Sequence, residues 1–289
     1  DYPVYYIADQ DLYSNKNEAV GTKSNPYLIA TETQLKAFRD LVNVDGGEML
    51  CAKLVADVTL TQNWSPISPV NDKTPYCGTF DGNGYTITIN SVNSSAKNVG
   101  LFGYAGNYES PNTISNLIVK GDFSTVTPKY AGGIVSYAMG VNIENCVNYA
   151  TIKATFSAGG IVGYIGKNST NSINKCINLG EIIQNTDVYY GGIAGFAYTV
   201  NISDCINLKD LPVSSLGNTS GIVFVDTTAT SSIDRCINVG KSACRSAYAI
   251  ANSGVNSNCY YNSETTYGGQ SFSDNSEKVI PKTTEELCN

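Results

Sequence analysis

Four aromatic residues, Tyr104, Tyr137, Tyr164 and Phe196, stand at one place in a phrase of glycine, two apolar residues and a small residue that returns along the sequence. A row of such rings on an outer face could bind sugars, since a ring offers apolar area and a tyrosine adds a polar tip. The competing reading is packing, with the rings filling a corner or covering a glycine-rich strand. Strict alternation from a buried Ile134 or Ile161 sends the aromatic to the opposite face, and a bulge at the glycines reverses this.

Carboxylates are the second chemical candidate. Asp204 and Asp234 lie in the second phrases of successive repeats and are expected to stack, with Glu144 in an earlier one. Cleavage of a polysaccharide needs clustered carboxylates for acid–base work or for calcium, often beside a basic residue. Here the acids are dispersed, no two aspartates are adjacent, and the only arginines are Arg39, Arg235 and Arg245. Solvated turn carboxylates are the expected reading. Histidine is absent, which removes Ser-His-Asp hydrolysis, Cys-His proteolysis, H-E-x-x-H metalloproteolysis and any zinc site built on imidazole. No cofactor and no metal site is expected.

The nine cysteines are an odd number, so disulfides alone cannot use them all. Four of them, Cys146, Cys176, Cys205 and Cys236, belong to a second recurring phrase, in which Asn148, Asn178, Asn207 and Asn238 follow two residues later. Stacked in-register residues hold their Cβ atoms about 4.8 Å apart with parallel vectors, against about 3.8 Å and convergent vectors in a disulfide. These thiols are therefore expected to be free, buried, small apolar fillers.

The elements that would position all these residues follow from the repeat itself. The glycine phrases begin at Gly100, Gly133, Gly160, Gly192 and Gly221, in steps of 33, 27, 32 and 29 residues. The second phrases begin at Ile114, Ile143, Ile173, Ile202 and Ile233, in steps of 29, 30, 29 and 31. A third short run follows, as in Thr151-Ile152-Lys153 and Glu181-Ile182-Ile183. Each run is β-branched or aromatic and bounded by turn residues, and no helical period appears inside the repeats. A three-strand unit that hides its apolar side only by stacking on its neighbour is a β-solenoid, whereas a propeller blade needs more residues and four antiparallel strands. The expected fold is an all-β, right-handed parallel β-helix, three strands per coil, about seven or eight coils, with a rod core roughly 30 to 40 Å long. Stacking turns the cysteines and asparagines into ladders, and a buried Asn amide can both donate to and accept from the coil above and the turn backbone.

The two ends differ from the middle. Thr31-Glu32-Thr33-Gln34 is a capping-box pattern ahead of the apolar face Leu35, Phe38, Leu41 and Val42, with Gly46-Gly47 as a stop. A helix over 31–45 would cover the open edge of the first coil. The whole chain, 1–289, is expected to form one β-helix domain, with an N-terminal extension and helical cap over 1–50, coils over 51–262 and a tail or cap over 263–289. The net charge of −7 disfavours nucleic acid and anionic membrane surfaces. No apolar run is long enough to span a bilayer, so membrane insertion is not expected. The chain opens on Asp1-Tyr2-Pro3 without a leader, which fits either a cytosolic protein or an exported one whose signal has been removed; the low charged fraction of 15% favours the exported protein as the expectation.

These phrases resemble a known family. Gly100-Leu101-Phe102-Gly103 is similar to the GLUG repeat motif, and the phrases at Gly160 and Gly192 fit it as well. The resemblance runs over about residues 21–288. It includes Asn25-Pro26-Tyr27-Leu28-Ile29, Trp64-Ser65-Pro66-Ile67, Gly78-Thr79-Phe80-Asp81-Gly82-Asn83-Gly84, Asn258-Cys259-Tyr260-Tyr261 and Thr283-Thr284-Glu285-Glu286-Leu287. Such domains are parallel β-helices of large secreted or surface-anchored bacterial proteins, including non-catalytic regions of metallo-type immunoglobulin A1 proteases. The resemblance implies a secreted or cell-surface location and a role in adhesion or presentation. The proteases' H-E-x-x-H site does not carry over, because no histidine is present. Ser136 and Phe224 stand where the second motif glycine is expected, which puts close backbone packing in question there. The resulting expectation is a monomeric, non-catalytic adhesive or spacer module that binds a glycan or a host or cell-surface protein. A polysaccharide-degrading lyase or glycoside hydrolase is the alternative.

Overall fold

The structure is a computed structural model, and it describes residues 19–288 apart from 45, 69–73, 94–96, 107–110, 126, 168, 186–187, 213–217, 242–246 and 265–278. Readings placed on residues 1–18, on Arg245 and on most of the 263–289 tail lie outside the described residues.

The chain is an all-β parallel solenoid of about seven turns. One turn shows the plan. Tyr130–Gly132, Val135–Ala138, Val141–Glu144 and Val147–Asn148 are consecutive short strands, and each belongs to a different sheet. Among the described residues, sheets I and II hold five strands each and sheets III and IV nine each. Every strand pairing among the described residues is parallel and joins one turn to the next, as in Val135 with Val162, Tyr137 with Tyr164 and Ala138 with Ile165. Nine strands at about 4.8 Å give sheets III and IV a length near 38 Å.

The turn carries four strands where the sequence pattern suggested three. Between sheets III and IV one residue per turn takes a left-handed backbone: Asn116, Asn145, Lys175, Asp204, Arg235 and Asn258, with φ between 50° and 55°. That single residue bends the second phrase into two strands. The first phrase is split by its glycine-isoleucine step, where Ile134 and Val135 both face the core. The third run forms only isolated bridges, Asp122 with Thr151 and Ile152 with Ile182.

The interior is a set of columns. Ile114, Ile143, Ile173, Ile202 and Ile233 form one, and Leu117, Cys146, Cys176, Cys205, Cys236 and Cys259 another, each residue 1% exposed or less. The aromatic residues of the early turns, Trp64, Tyr76, Phe80 and Phe102, fill the N-terminal part of the core. Phe38 from the helix packs against Tyr27, Tyr76 and Phe80.

That helix, α1 (Glu32–Val42), begins at Thr31 with the full capping box to Gln34 and buries Leu35, Phe38 and Val42. It ends at Asn43, ahead of Gly46-Gly47, for a tertiary reason. The Asn43 side chain accepts from Ser68 N–H at 2.7 Å and donates to the Pro66 carbonyl, pulling the chain out of the helix. Glu32 ties the helix to the end of the strand Val58–Leu60 by accepting from Thr61 N–H at 3.1 Å and Thr61 Oγ1 at 2.8 Å. Its hydrogen bonds with Lys36 and Thr61 hold the carboxyl down to about 2. Because the folded-state pKa lies below the ordinary value of 4.5, this contribution is present above pH 4.5 and fades as pH falls toward 2. Glu32→Gln is expected to lower the melting temperature at pH 7 and to match the parent near pH 2. Equal melting temperatures at both pH values would show that Glu32 does not hold the helix.

At the far end Val279–Lys282 pairs with Cys259–Asn262 and extends sheet IV beyond residue 262. A short helix, α2 (Thr284–Cys288), follows it. No helix among the described residues is long and apolar enough to cross a membrane.

Candidate functional site: an aromatic corner between two sheets

The glycine phrase builds the site. In sheets I and II the backbones lie so close that a Cβ on Gly163 or Gly195 would strike the backbone of Ala131 or Ala158 in the turn before. Small residues are required on the inner side of this corner, and the aromatic that follows them is pushed outward.

Tyr104, Tyr137 and Tyr164 are half-buried on the outer side, and Phe196 is 7% exposed. Ring centroids are 5.1 Å apart for Tyr104–Tyr137, 5.2 Å for Tyr137–Tyr164 and 5.4 Å for Tyr164–Phe196. From Tyr137 onward these rings are nearly parallel, at 25° and 12°, so their faces are turned to one another and their edges outward. Burial, helped by Tyr198, pushes the Tyr164 hydroxyl well above its ordinary value, so it stays a neutral donor.

Phe224 belongs to this column rather than to the glycine row where the sequence placed it. Its turn is one residue shorter, the register shifts between Ala194 and Phe196, and Phe224 pairs with Phe196. Their rings lie 6.3 Å apart at 20°. Ser136, the other departure, fits because its buried hydroxyl donates to the Tyr130 carbonyl at 2.8 Å.

A second set of rings leans on the first. Tyr130 lies 4.6 Å from Tyr164, Phe156 contacts Tyr130 and Tyr164, Tyr189 lies 4.8 Å from Phe196, and Tyr248 meets Phe224. Tyr198 sets its ring across Tyr164 and Phe196 at 78° and 80°. With the column this makes ten rings in one continuous cluster among the described residues. Phe156 is the most open of them, 37% exposed. Lys129 lies over Tyr130 and Phe156 at 5.0 and 5.5 Å, and Lys167 over Tyr198 at 4.3 Å. The sequence signal for the second set was an aromatic just before the glycine pair, as at Tyr130, Phe156 and Tyr189.

The asparagines meet the first glycine of each phrase. Asn148, Asn178, Asn207 and Asn238 are fully buried and linked Nδ2 to Oδ1 at 2.9, 2.9 and 2.8 Å. Their carboxamides lie against Gly133, Gly160, Gly192 and Gly221, and a Cβ at any of these four would overlap the asparagine of its own turn. Where Val119 takes the asparagine's place, Gly100 meets only backbone. The two phrases are thus one device: the asparagine of the second holds the glycine of the first.

The cysteine column is buried and, among the described residues, unpaired. Burial pushes the Cys176 thiol well above its ordinary value. Among the described residues no group of three or more His, Cys, Asp or Glu could hold a metal ion.

Asp204 and Asp234 do not stack, since Asp234 pairs with Ser203 and Arg235 takes the place of Asp204 in the next turn. Arg235 joins the two acids: its Nε and Nη2 donate to the Asp204 carboxylate at 2.7 and 2.8 Å and its Nη1 pairs with Asp234. Arg235 lowers the pKa of Asp204, and the Ser257 hydroxyl, donating at 2.7 Å, lowers that of Asp234. Neither is protonated at neutral pH, so neither is poised to donate a proton to a leaving group.

No protein-family model matches the chain. Over 154 residues it is 33% identical to a protein of Evansella cellulosilytica provisionally named a Gly-rich membrane protein, covering 50% of this chain and 17% of that one. Over 153 residues it is 29% identical to the halomucin of Haloquadratum walsbyi, covering 50% of this chain and 2% of that one. The chain therefore spans a small part of the length of the curated relatives it matches. Among solved structures it is similar, with a TM-score of 0.68 and 18% identity, to a Bacteroides ovatus protein provisionally described as an immunoglobulin A1 protease. That match covers 92% of this chain and 87% of the other; at this identity it speaks for the fold alone.

Proposed function

We propose that this chain is a rigid, non-catalytic module of a surface protein, of the GLUG-repeat kind, that binds a glycan or a protein through the aromatic corner between sheets I and II. The observation that carries the reading is the continuous cluster of ten rings, eight of them half-buried and Phe156 open to solvent. A cluster of partly exposed rings is costly to leave bare and is typical of interaction sites. The relative named as a membrane protein and the much greater length of both relatives support a location at the cell surface within a longer chain. The hydrolase form of the rival reading, a polysaccharide-degrading enzyme, needs a carboxylic acid kept protonated, and both Asp204 and Asp234 are pulled the other way. A calcium-dependent lyase needs clustered carboxylates, and among the described residues no group of three or more His, Cys, Asp or Glu could hold a metal ion.

The test is a glycan and protein array probed with the purified chain beside a Phe156→Ser, Tyr198→Ser variant. Binding to at least one class, lost in the variant while its circular dichroism is unchanged, is the expected result. Binding that survives the substitutions, or no binding at all, would move the site or remove it. Polysaccharide cleavage abolished by Asp204→Asn or Asp234→Asn would replace the reading with the enzyme.

A further inference from the structure

The charges set on the aromatic corner narrow the ligand. The chain carries a net charge of −7, yet among the described residues two lysines lie over these rings. Lys129 covers Tyr130 and Phe156, and Lys167 covers Tyr198. Lys97 is the stacked neighbour of Lys129, whose N–H donates to the Lys97 carbonyl at 2.7 Å, and Phe156 continues that row with its N–H on the Lys129 carbonyl at 3.1 Å. All three lysines are exposed. The carboxylate that Lys167 influences, Asp226, is itself held by the Thr228 N–H at 2.9 Å and by the Thr228 hydroxyl.

An ammonium over a ring is held there by its attraction to the ring's electron-rich face. A neutral ligand would have to displace these lysines and lose that attraction without replacing it. An anion can approach with each ammonium left on its ring. The corner runs along the stack, where equivalent groups recur about every 4.8 Å, close to the length of one hexose in an extended chain. The outward ring edges and the neutral phenol of Tyr164 suit hydroxyl-rich sugar units, and Phe156 offers apolar area for a sugar's C–H face.

Resting on the adhesive reading above, we infer that the ligand of this corner is an acidic linear glycan, whose carboxylates or sulfates meet Lys97, Lys129 and Lys167 while its sugar units lie along the aromatic rows.

The experiment is affinity electrophoresis of the full chain against polygalacturonate, alginate, heparin, dextran and polyglutamate, at about 50 mM and about 0.5 M salt. Binding to polygalacturonate, alginate or heparin, weakened at least about tenfold at the higher salt, is expected. The polygalacturonate, alginate and heparin arms tell carboxylate from sulfate. Lys129→Glu with Lys167→Glu should weaken binding by a similar factor in a chain that keeps its circular dichroism. Dextran bound as well as the acidic polymers, with no effect of salt or of the lysine changes, would overturn the acidic ligand and leave the adhesive module standing. Polyglutamate bound as tightly would overturn the glycan, and no binding to any of the five would overturn the inference outright.

Discussion

Gly160→Ala is expected to cost about 3 kcal/mol. Its Cβ would overlap both the carboxamide of Asn178 and the carbonyl oxygen of Gly192 in the next turn. Neither can withdraw freely, since the carboxamide is bonded on both sides in its ladder and the carbonyl belongs to backbone. Urea unfolding gives the loss. Because a stacked rod need not unfold in one step, hydrogen exchange over residues 157–179 should localise it. A Gly160→Ala, Asn178→Ala double variant should lose less than the two single losses added together, because the carboxamide half of the overlap is gone. Full additivity would mean that the glycine and the asparagine do not meet.

Asn178→Ala is the second, at about 3 kcal/mol. Asn178 Nδ2 donates to Asn207 Oδ1, and its Oδ1 accepts from Asn148 Nδ2 at 2.9 Å and from Gly180 N–H at 3.1 Å. Alanine removes all three bonds in a place with no access to water, and each buried group left unpaired costs about 1–3 kcal/mol. Part is recovered because Asn148 keeps the Ala150 carbonyl as a partner. Thermal and urea unfolding within error of the parent would show that the ladder is incidental to stability.

The solenoid could be read from the sequence because stacking demands like residues at like places. A column such as Ile143, Ile173, Ile202 and Ile233 works only if the chain repeats itself. The bend between sheets III and IV could not be read in the same way. Its left-handed position is filled by Asn145, Lys175, Asp204 and Arg235 in turn, and of these only asparagine and aspartate are usual signals for that conformation. Arg235 gains its pair with Asp204 in the adjoining turn, a contact invisible before the turns are stacked. Phe224 was misplaced for a related reason: counting residues from the glycine assumes turns of equal length, and the turn holding Phe224 absorbs a one-residue deletion by shifting register. The column Tyr104, Tyr137, Tyr164 and Phe196 was visible as a repeat, but whether rings show faces or edges depends on their mutual tilt. That tilt is set by Tyr130, Tyr189 and Tyr198 from neighbouring strands, and so by packing across sheets.

The stacking itself can be measured as distance. Lys53, Glu144, Ser203 and Ser257 lie in one outward column of sheet III, so Lys53 is three, five and seven turns from the others. Spin labels carried on a genetically encoded ketone at these pairs should give backbone separations of about 14, 24 and 34 Å, one strand spacing per turn. Distances that fail to grow with the number of turns, or a 53–257 separation shorter than 53–203, would contradict the parallel stack on which the aromatic corner depends.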